Sequence, residues 1–109
     1  MYGYYFNILF SKFLLFRRIF MTFRFKTRGV CASYINFKIN DGIITDVSFQ
    51  GGCNGNLKAI SKLVEGMDAE KVISLLRGNL CGFRTTSCAD QFAIALRSAL
   101  DGALTPVEE

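Results

Sequence analysis

The chain of 109 residues contains no histidine. That absence excludes a self-contained Ser-His-Asp or Cys-His nucleophile system. It also excludes a metal site with imidazole ligands drawn from this chain alone. The length allows one domain at most, which leaves no room for a catalytic barrel of about 200 residues or more. The opening residues also lack the order expected of a secretory signal. Residues 1–20 carry their positive charge late, at Lys12, Arg17 and Arg18, and no small-residue cleavage site comes after them. Structural disulfides are therefore not expected. No uninterrupted apolar run is long enough to cross a membrane, because Lys12 breaks the first stretch and Arg17-Arg18 end it. Nor is there a basic stripe. The net charge is +4, but residues 1–20 supply three positive charges and no acid, and residues 21–109 hold ten bases against nine acids. Nucleic-acid binding is not expected on that balance.

What remains is a small, apolar, cysteine-bearing chain. Half its residues are hydrophobic, enough for a small core. The opening "MYGYYFNILFSKFLLFRRIF" holds eight of the fifteen aromatics and differs in composition from residues 21–109. It reads as an over-extended start, with Met21 of "MTFRFKTRGVC" as the true one. A membrane-surface or partner-binding helix and a processed hydrophobic leader are the other readings. After residue 20 there are no repeats, linkers or low-complexity blocks.

"TFRFKTR" and "SYINFKIN" alternate apolar and polar residues, as half-buried strands do. "IITDVSFQ" comes next, with Val47 and Phe49 as its inward pair. "NDG" between the last two marks a hairpin. Apolar residues of both strands fall at odd numbers, and directly opposed residues share a face. A three-residue loop, Asn40-Asp41-Gly42, keeps the parity and pairs Ile39 with Ile43 and Ile35 with Val47. A two-residue loop would set Phe37 against Asp46. In the three-residue register, position 31 falls opposite 51, so Cys31 and Cys53 share the open end of the hairpin, within about 10 Å. Asn54 or Asn56 can cap a helix carrying Leu57, Ile60, Leu63 and Val64, ended by Gly66. Asp68 caps a second, "AEKVISLLR", stopped by Gly78. Ser87 caps a third, with Asp90 three positions on as a capping-box variant. That helix runs to about Asp101 and turns Phe92, Ala95, Leu96, Ala99 and Leu100 inward. The tail, residues 105–109, is expected to be disordered.

Four cysteines, Cys31, Cys53, Cys81 and Cys88, are the chemistry-bearing residues. Cys53 and Cys88 lie at expected helix starts, where the helix dipole favours thiolate. Cys31 and Cys81 lie beside adaptable loops. None falls mid-strand or on an apolar helix face, where core filler would be expected. The C-x21-C-x27-C-x6-C spacing has no C-x2-C knuckle. Four converging thiolates suit tetrahedral zinc or an iron–sulfur cluster. A redox pair and inert thiols are the other readings. Gly51, Gly52 and Asn54, in "GGCNGN", let backbone approach a sulfur or its ligand; the segment lacks the Walker pair and G-x-G-x-x-G order of a phosphate loop. Arg84 either offsets a negative thiolate cluster or is a solvated loop charge. Asp90 is either an acid or supporting group of the site, or simply a helix cap.

"GVCASYINFKINDGIITDVSFQGGCNGNLKAISKLVEGM" and "CGFRTTSCADQFAIAL" together resemble the TSCPD-domain family, in its small free-standing four-cysteine members. The likeness runs from about Phe25 to Leu100 and includes all four cysteines. The signature reads "TSCAD", Thr86 to Asp90, with Ala89 where proline is usual; proline in a first helical turn is favourable but dispensable. The resemblance implies a link to ribonucleotide reduction. Such domains occur at the C-terminus of adenosylcobalamin-dependent ribonucleotide reductases, and free-standing members are often labelled ribonucleoside-diphosphate reductase. An accessory module is implied, with adenosylcobalamin entering only through a partner reductase. A more distant likeness in element order is to NifU-type iron–sulfur scaffold proteins.

The expectation is an α+β domain over residues 21–104, a three-stranded antiparallel sheet with three helices, arranged like the iron–sulfur scaffolds. Its function is a cytoplasmic metal-binding module with Cys31, Cys53, Cys81 and Cys88 as ligands for zinc or an iron–sulfur cluster. A ribonucleotide reductase or a thiol-redox protein is the expected partner. The alternatives are a cluster carrier, a dithiol donor using Cys81 and Cys88, and a plain binding module.

Overall fold

The computed structural model describes residues 21–52 and 54–107. The expectations for residues 1–20 and for Cys53 fall outside the described residues. Strands β1 (Met21–Lys26), β2 (Ala32–Asn40) and β3 (Ile43–Gly51) form one antiparallel sheet in the order β1-β2-β3. Helices α1 (Asn54–Val64), α2 (Ala69–Leu76) and α3 (Cys88–Leu100) come after it in the chain. The expected α+β class, with three strands and three helices, is what the described residues form.

Alternation dictates the sheet's two faces. Ile35, Phe37 and Ile39 of β2 are buried, as is Phe23 of β1. Phe92 of α3 seals this face, meeting the rings of Phe37 and Phe49 edge-on with centroids 5.8 Å away in each case. Phe23 stacks on Phe37 from β1. On the opposite face Arg24 lies over the Tyr34 ring, 4.0 Å from its centroid.

The hairpin register departs from the three-residue loop expected. Ile39 pairs with Ile44 and Asn40 with Ile43, which leaves only Asp41-Gly42 as the loop. Both loop residues have positive φ, 53° and 80°, the left-handed pair that suits the twist of a tight hairpin. The clash of Phe37 with Asp46 is avoided by a bulge. Pairing shifts between Asn36↔Ser48 and Lys38↔Thr45, and Asp46 takes φ 53°. The extra residue changes parity. Ile44 is inward on one side of it, Val47 and Phe49 on the other, and Ile43 points outward. Ile35 therefore pairs with Phe49, not Val47. A second shift near Ser33 places Ala32, not Cys31, opposite Gly51.

The caps of α2 and α3 match the sequence expectation; at α1 neither Asn54 nor Asn56 stands ahead of the helix as a cap. Asp68 accepts from Lys71 N–H at α2, and Ser87 accepts from Asp90 N–H at α3. Asn54 opens α1 and Asn56 lies inside it, not at its cap. Leu57 and Val64 are buried, but Leu63, expected inward, is 74% exposed. Carbonyls and amides of the α1–α2 turn complete the edge of β3: Ile44 N–H donates to Met67 O at 2.9 Å and Gly66 N–H to Ile44 O at 2.8 Å. At the other edge Val107, in the tail expected to be disordered, donates its N–H to Thr22 O at 2.8 Å. Among the described residues no helix is long and apolar enough to cross a membrane.

Candidate functional site

Cys31 ends the loop from β1 to β2, and Cys88 is the first residue of α3. Their sulfurs are 3.8 Å apart. Sequence position groups Cys31 with Cys53 and Cys81 with Cys88; the contact observed crosses those pairs. It is far too long for a disulfide, whose sulfurs stand about 2.05 Å apart. Cys53 lies outside the described residues, directly after Gly52 in the chain. Cys81 is exposed. It sits at the mouth of a loop, where its N–H donates to Thr86 O at 3.2 Å and its carbonyl accepts from Arg84 N–H at 3.0 Å. Among the described residues no group of three cysteine or carboxylate side chains is close enough to hold a metal ion.

Gly52 explains how backbone comes so close to the Cys31 sulfur. A Cβ on Gly52 would stand 2.9 Å from Cys31 Sγ, 3.0 Å from Ala32 N and 3.0 Å from Leu57 Cδ1, and its φ is +83°. Only glycine meets both demands without displacement. Gly52→Ala should therefore destabilise the domain by about 1–3 kcal/mol, read from urea unfolding. It should also make Cys31 react faster with a thiol reagent. Gly51, with φ +80°, approaches the Cys31 carbonyl in the same way, its Cβ position 3.4 Å away.

The loop that delivers Cys31 is strapped to the start of α3 at several points. Gln91 Oε1 accepts from Arg28 N–H at 3.1 Å. Arg84 Nη1 donates to Gly29 O at 3.2 Å. Arg84 is thus a strap between two loops. Thr27 closes the loop on itself, donating to Ala32 O and, at 3.0 Å, to Ser33 O.

Asp90 anchors the other side. Ser87 does cap its amide, but the Asp90 carboxylate does not reach back as a capping box would. One oxygen accepts from Arg77 Nη1 at 2.6 Å and Gly78 N–H at 2.7 Å, the other from Thr86 Oγ1 at 2.6 Å. Gln91 Nε2 donates to Thr86 Oγ1 at 3.1 Å, and Ser87 Oγ donates to Asn79 O. Burial opposes charge on Asp90, yet the bonds from Thr86, Gly78 and Arg77 outweigh it and hold the carboxyl below its ordinary value. Thr86 and Gln91 carry no sequence signal beyond the lettering of the "TSCADQ" segment, and Arg77, outside it, carries none, because Arg77 and Gln91 find their partners far along the chain, at Asp90 and Arg28.

Cys88 departs from the thiolate expected at a helix start. Burial pushes its thiol upward, and the neighbouring Cys31 sulfur adds to that. Backbone amides of Ala32 and Cys31 pull the other way without prevailing.

The TSCPD domain profile matches residues 17–100, well over half the chain. The chain belongs to the TSCPD-domain family. The match takes in Arg17 to Phe20, ahead of Phe25, where the likeness legible in the residues begins. No curated protein and no solved structure is similar enough to match it. In this TSCPD domain the signature "TSCAD" forms the junction between α3 and the Cys31 loop: Thr86 and Asp90 bond each other, Ser87 caps the helix, and Cys88 meets Cys31.

Proposed function

We propose that this TSCPD domain is a four-cysteine metal-binding module that serves ribonucleotide reduction in a reducing, cytoplasmic setting. The observation that carries the metal reading is the sulfur pair. Two thiolates bound to one zinc at about 2.3 Å, at the tetrahedral angle, stand about 3.8 Å apart. Cys31 and Cys88 have that separation. The donor chemistry fits too: with no histidine, an all-thiolate set selects zinc or iron–sulfur over hard cations. Cys53, next in the chain after the glycine packed against Cys31 Sγ, would be the third ligand, and Cys81, which stands apart from the Cys31–Cys88 pair on its exposed loop, would have to be drawn in to complete the set. Gly51, Gly52 and the opening turn at Asn54 would give the backbone room around it.

A bound metal would supply a fixed positive centre that locks the hairpin end to α3. The chain's own residues do the rest. Asp90, Thr86 and Gln91 set the direction of α3's first turn, and Arg28 and Gly29 hold the Cys31 loop against it. The link to ribonucleotide reduction rests on family membership. On that reading the domain acts beside a reductase, whose radical chemistry and adenosylcobalamin belong to the partner.

Protein purified without oxygen should contain about one zinc per chain and no visible colour. Cys88→Ser should reduce metal content at least tenfold. Iron with sulfide absorbance would instead identify a cluster scaffold or carrier. A folded protein with four titratable thiols and no metal would overturn the reading.

A further inference from the structure

We infer that Cys31 and Cys88 form a reversible dithiol–disulfide site that exchanges electrons with disulfide-bearing partners. The pairing differs from the Cys81 and Cys88 donor that sequence spacing suggests, and it stands whether or not the sulfurs also bind metal. Three observations carry it. The two sulfurs already touch at 3.8 Å, so a bond needs a closure of about 1.8 Å. One partner is accessible and the other is not fully so: Cys31 is exposed and Cys88 is half-buried. The backbones bearing them are strapped together by Arg28–Gln91 and Arg84–Gly29, which keeps the second sulfur within reach while the first reacts.

The chemistry is set by access. The Cys31 thiolate attacks one sulfur of an incoming disulfide, RSSR, and forms a mixed disulfide while the first RS⁻ leaves. Cys88, 3.8 Å away, then attacks the Cys31 sulfur and expels the second RS⁻. Two electrons pass from the cysteine pair to RSSR, and the two thiol protons end on the released RSH molecules. The reverse sequence reduces the pair. The partner class is therefore any small-molecule or protein disulfide that can reach Cys31.

The bond would join residues 57 apart. Such a crosslink restricts the unfolded chain strongly, so the oxidised domain should be the more stable one.

The test uses the full chain, stripped of metal by a chelator and incubated with oxidised glutathione. Remaining thiols are then alkylated and the protein is digested and mapped by mass spectrometry. The expected result is one Cys31–Cys88 crosslinked peptide, with Cys53 and Cys81 alkylated. The Cys53→Ser/Cys81→Ser double variant should form the same bond. Its melting temperature should rise by more than about 5 °C on oxidation and fall back with dithiothreitol. A dominant Cys81–Cys88 or Cys31–Cys53 bond would overturn the inference, as would a glutathione adduct at Cys31 that Cys88 never displaces. Failure here is distinct from failure of the metal reading. Metal-free protein that forms this bond keeps the inference and loses the metal site; zinc-loaded protein whose stripped form cannot make it does the reverse.

Discussion

Phe92→Ala should destabilise the domain by about 3–5 kcal/mol, the range for emptying a fully enclosed aromatic site. Phe92 has no exposed surface and is the residue that both Phe37 and Phe49 meet edge-on. Domains of this size hold about 5–15 kcal/mol in total, so the variant should be partly unfolded at 37 °C. The consequence reaches the sulfur pair. Phe92 lies one helical turn after Cys88, on the same face of α3. Its contact with the sheet fixes the roll of the helix and hence the direction of Cys88. Phe92→Leu, which keeps most of the volume, should lose less than half as much stability. Urea denaturation of both variants checks the energies, and the yield of the Cys31–Cys88 crosslink checks the roll.

Asp90→Ala should cost about 2–4 kcal/mol. The Asp90 side chain is 3% exposed, and the change leaves the Thr86 hydroxyl and the Gly78 amide without their acceptor. Arg77 is 57% exposed, so its charge returns to water and adds little. Asp90→Asn separates charge from shape. The Asp90 carboxyl titrates below its ordinary value in the folded chain. Its contribution is therefore complete above the usual aspartate range, near pH 4, and is lost as pH falls through the lower folded value. The gap between wild type and Asp90→Asn should be widest near neutrality and should shrink below about pH 4. A gap that stays constant down to pH 2 would show that the charge of Asp90 contributes nothing.

The inward faces of β1, β2 and α3, and the caps Asp68 and Ser87, are legible in the sequence because period and capping chemistry are local. Register is not. Asn40-Asp41-Gly42 can close a two- or three-residue loop, and parity favours the longer one. The chain uses the shorter and corrects parity at Asp46, in a left-handed conformation that an aspartate tolerates but does not advertise. Leu63 fits an apolar helical stripe, yet the face that α1 presents to β3 is narrower than the stripe. Cys31 and Cys88 each stand out as chemical residues, but their contact depends on how the last helix docks on the first loop. The same holds for the strap role of Arg84 and the anchor role of Asp90. In both, a charged side chain reads as solvated or capping until its distant partner is known.

The contact between Cys31 and Cys88 also sets a time at which the site comes into being. Its two halves are separated by nearly the whole domain: the hairpin, α1, α2 and the loop after them. Local contacts form early in folding, and those across long chain separations form late because the loop they close must be ordered first. On the ribosome Cys31 is made well before Cys88 exists. A nascent chain that has folded its hairpin thus presents Cys31 alone, and the sulfur pair appears only once α3 has emerged and docked. The site is in effect a mark of a completed fold, present once α3 has docked and missing from any chain cut short before Cys88.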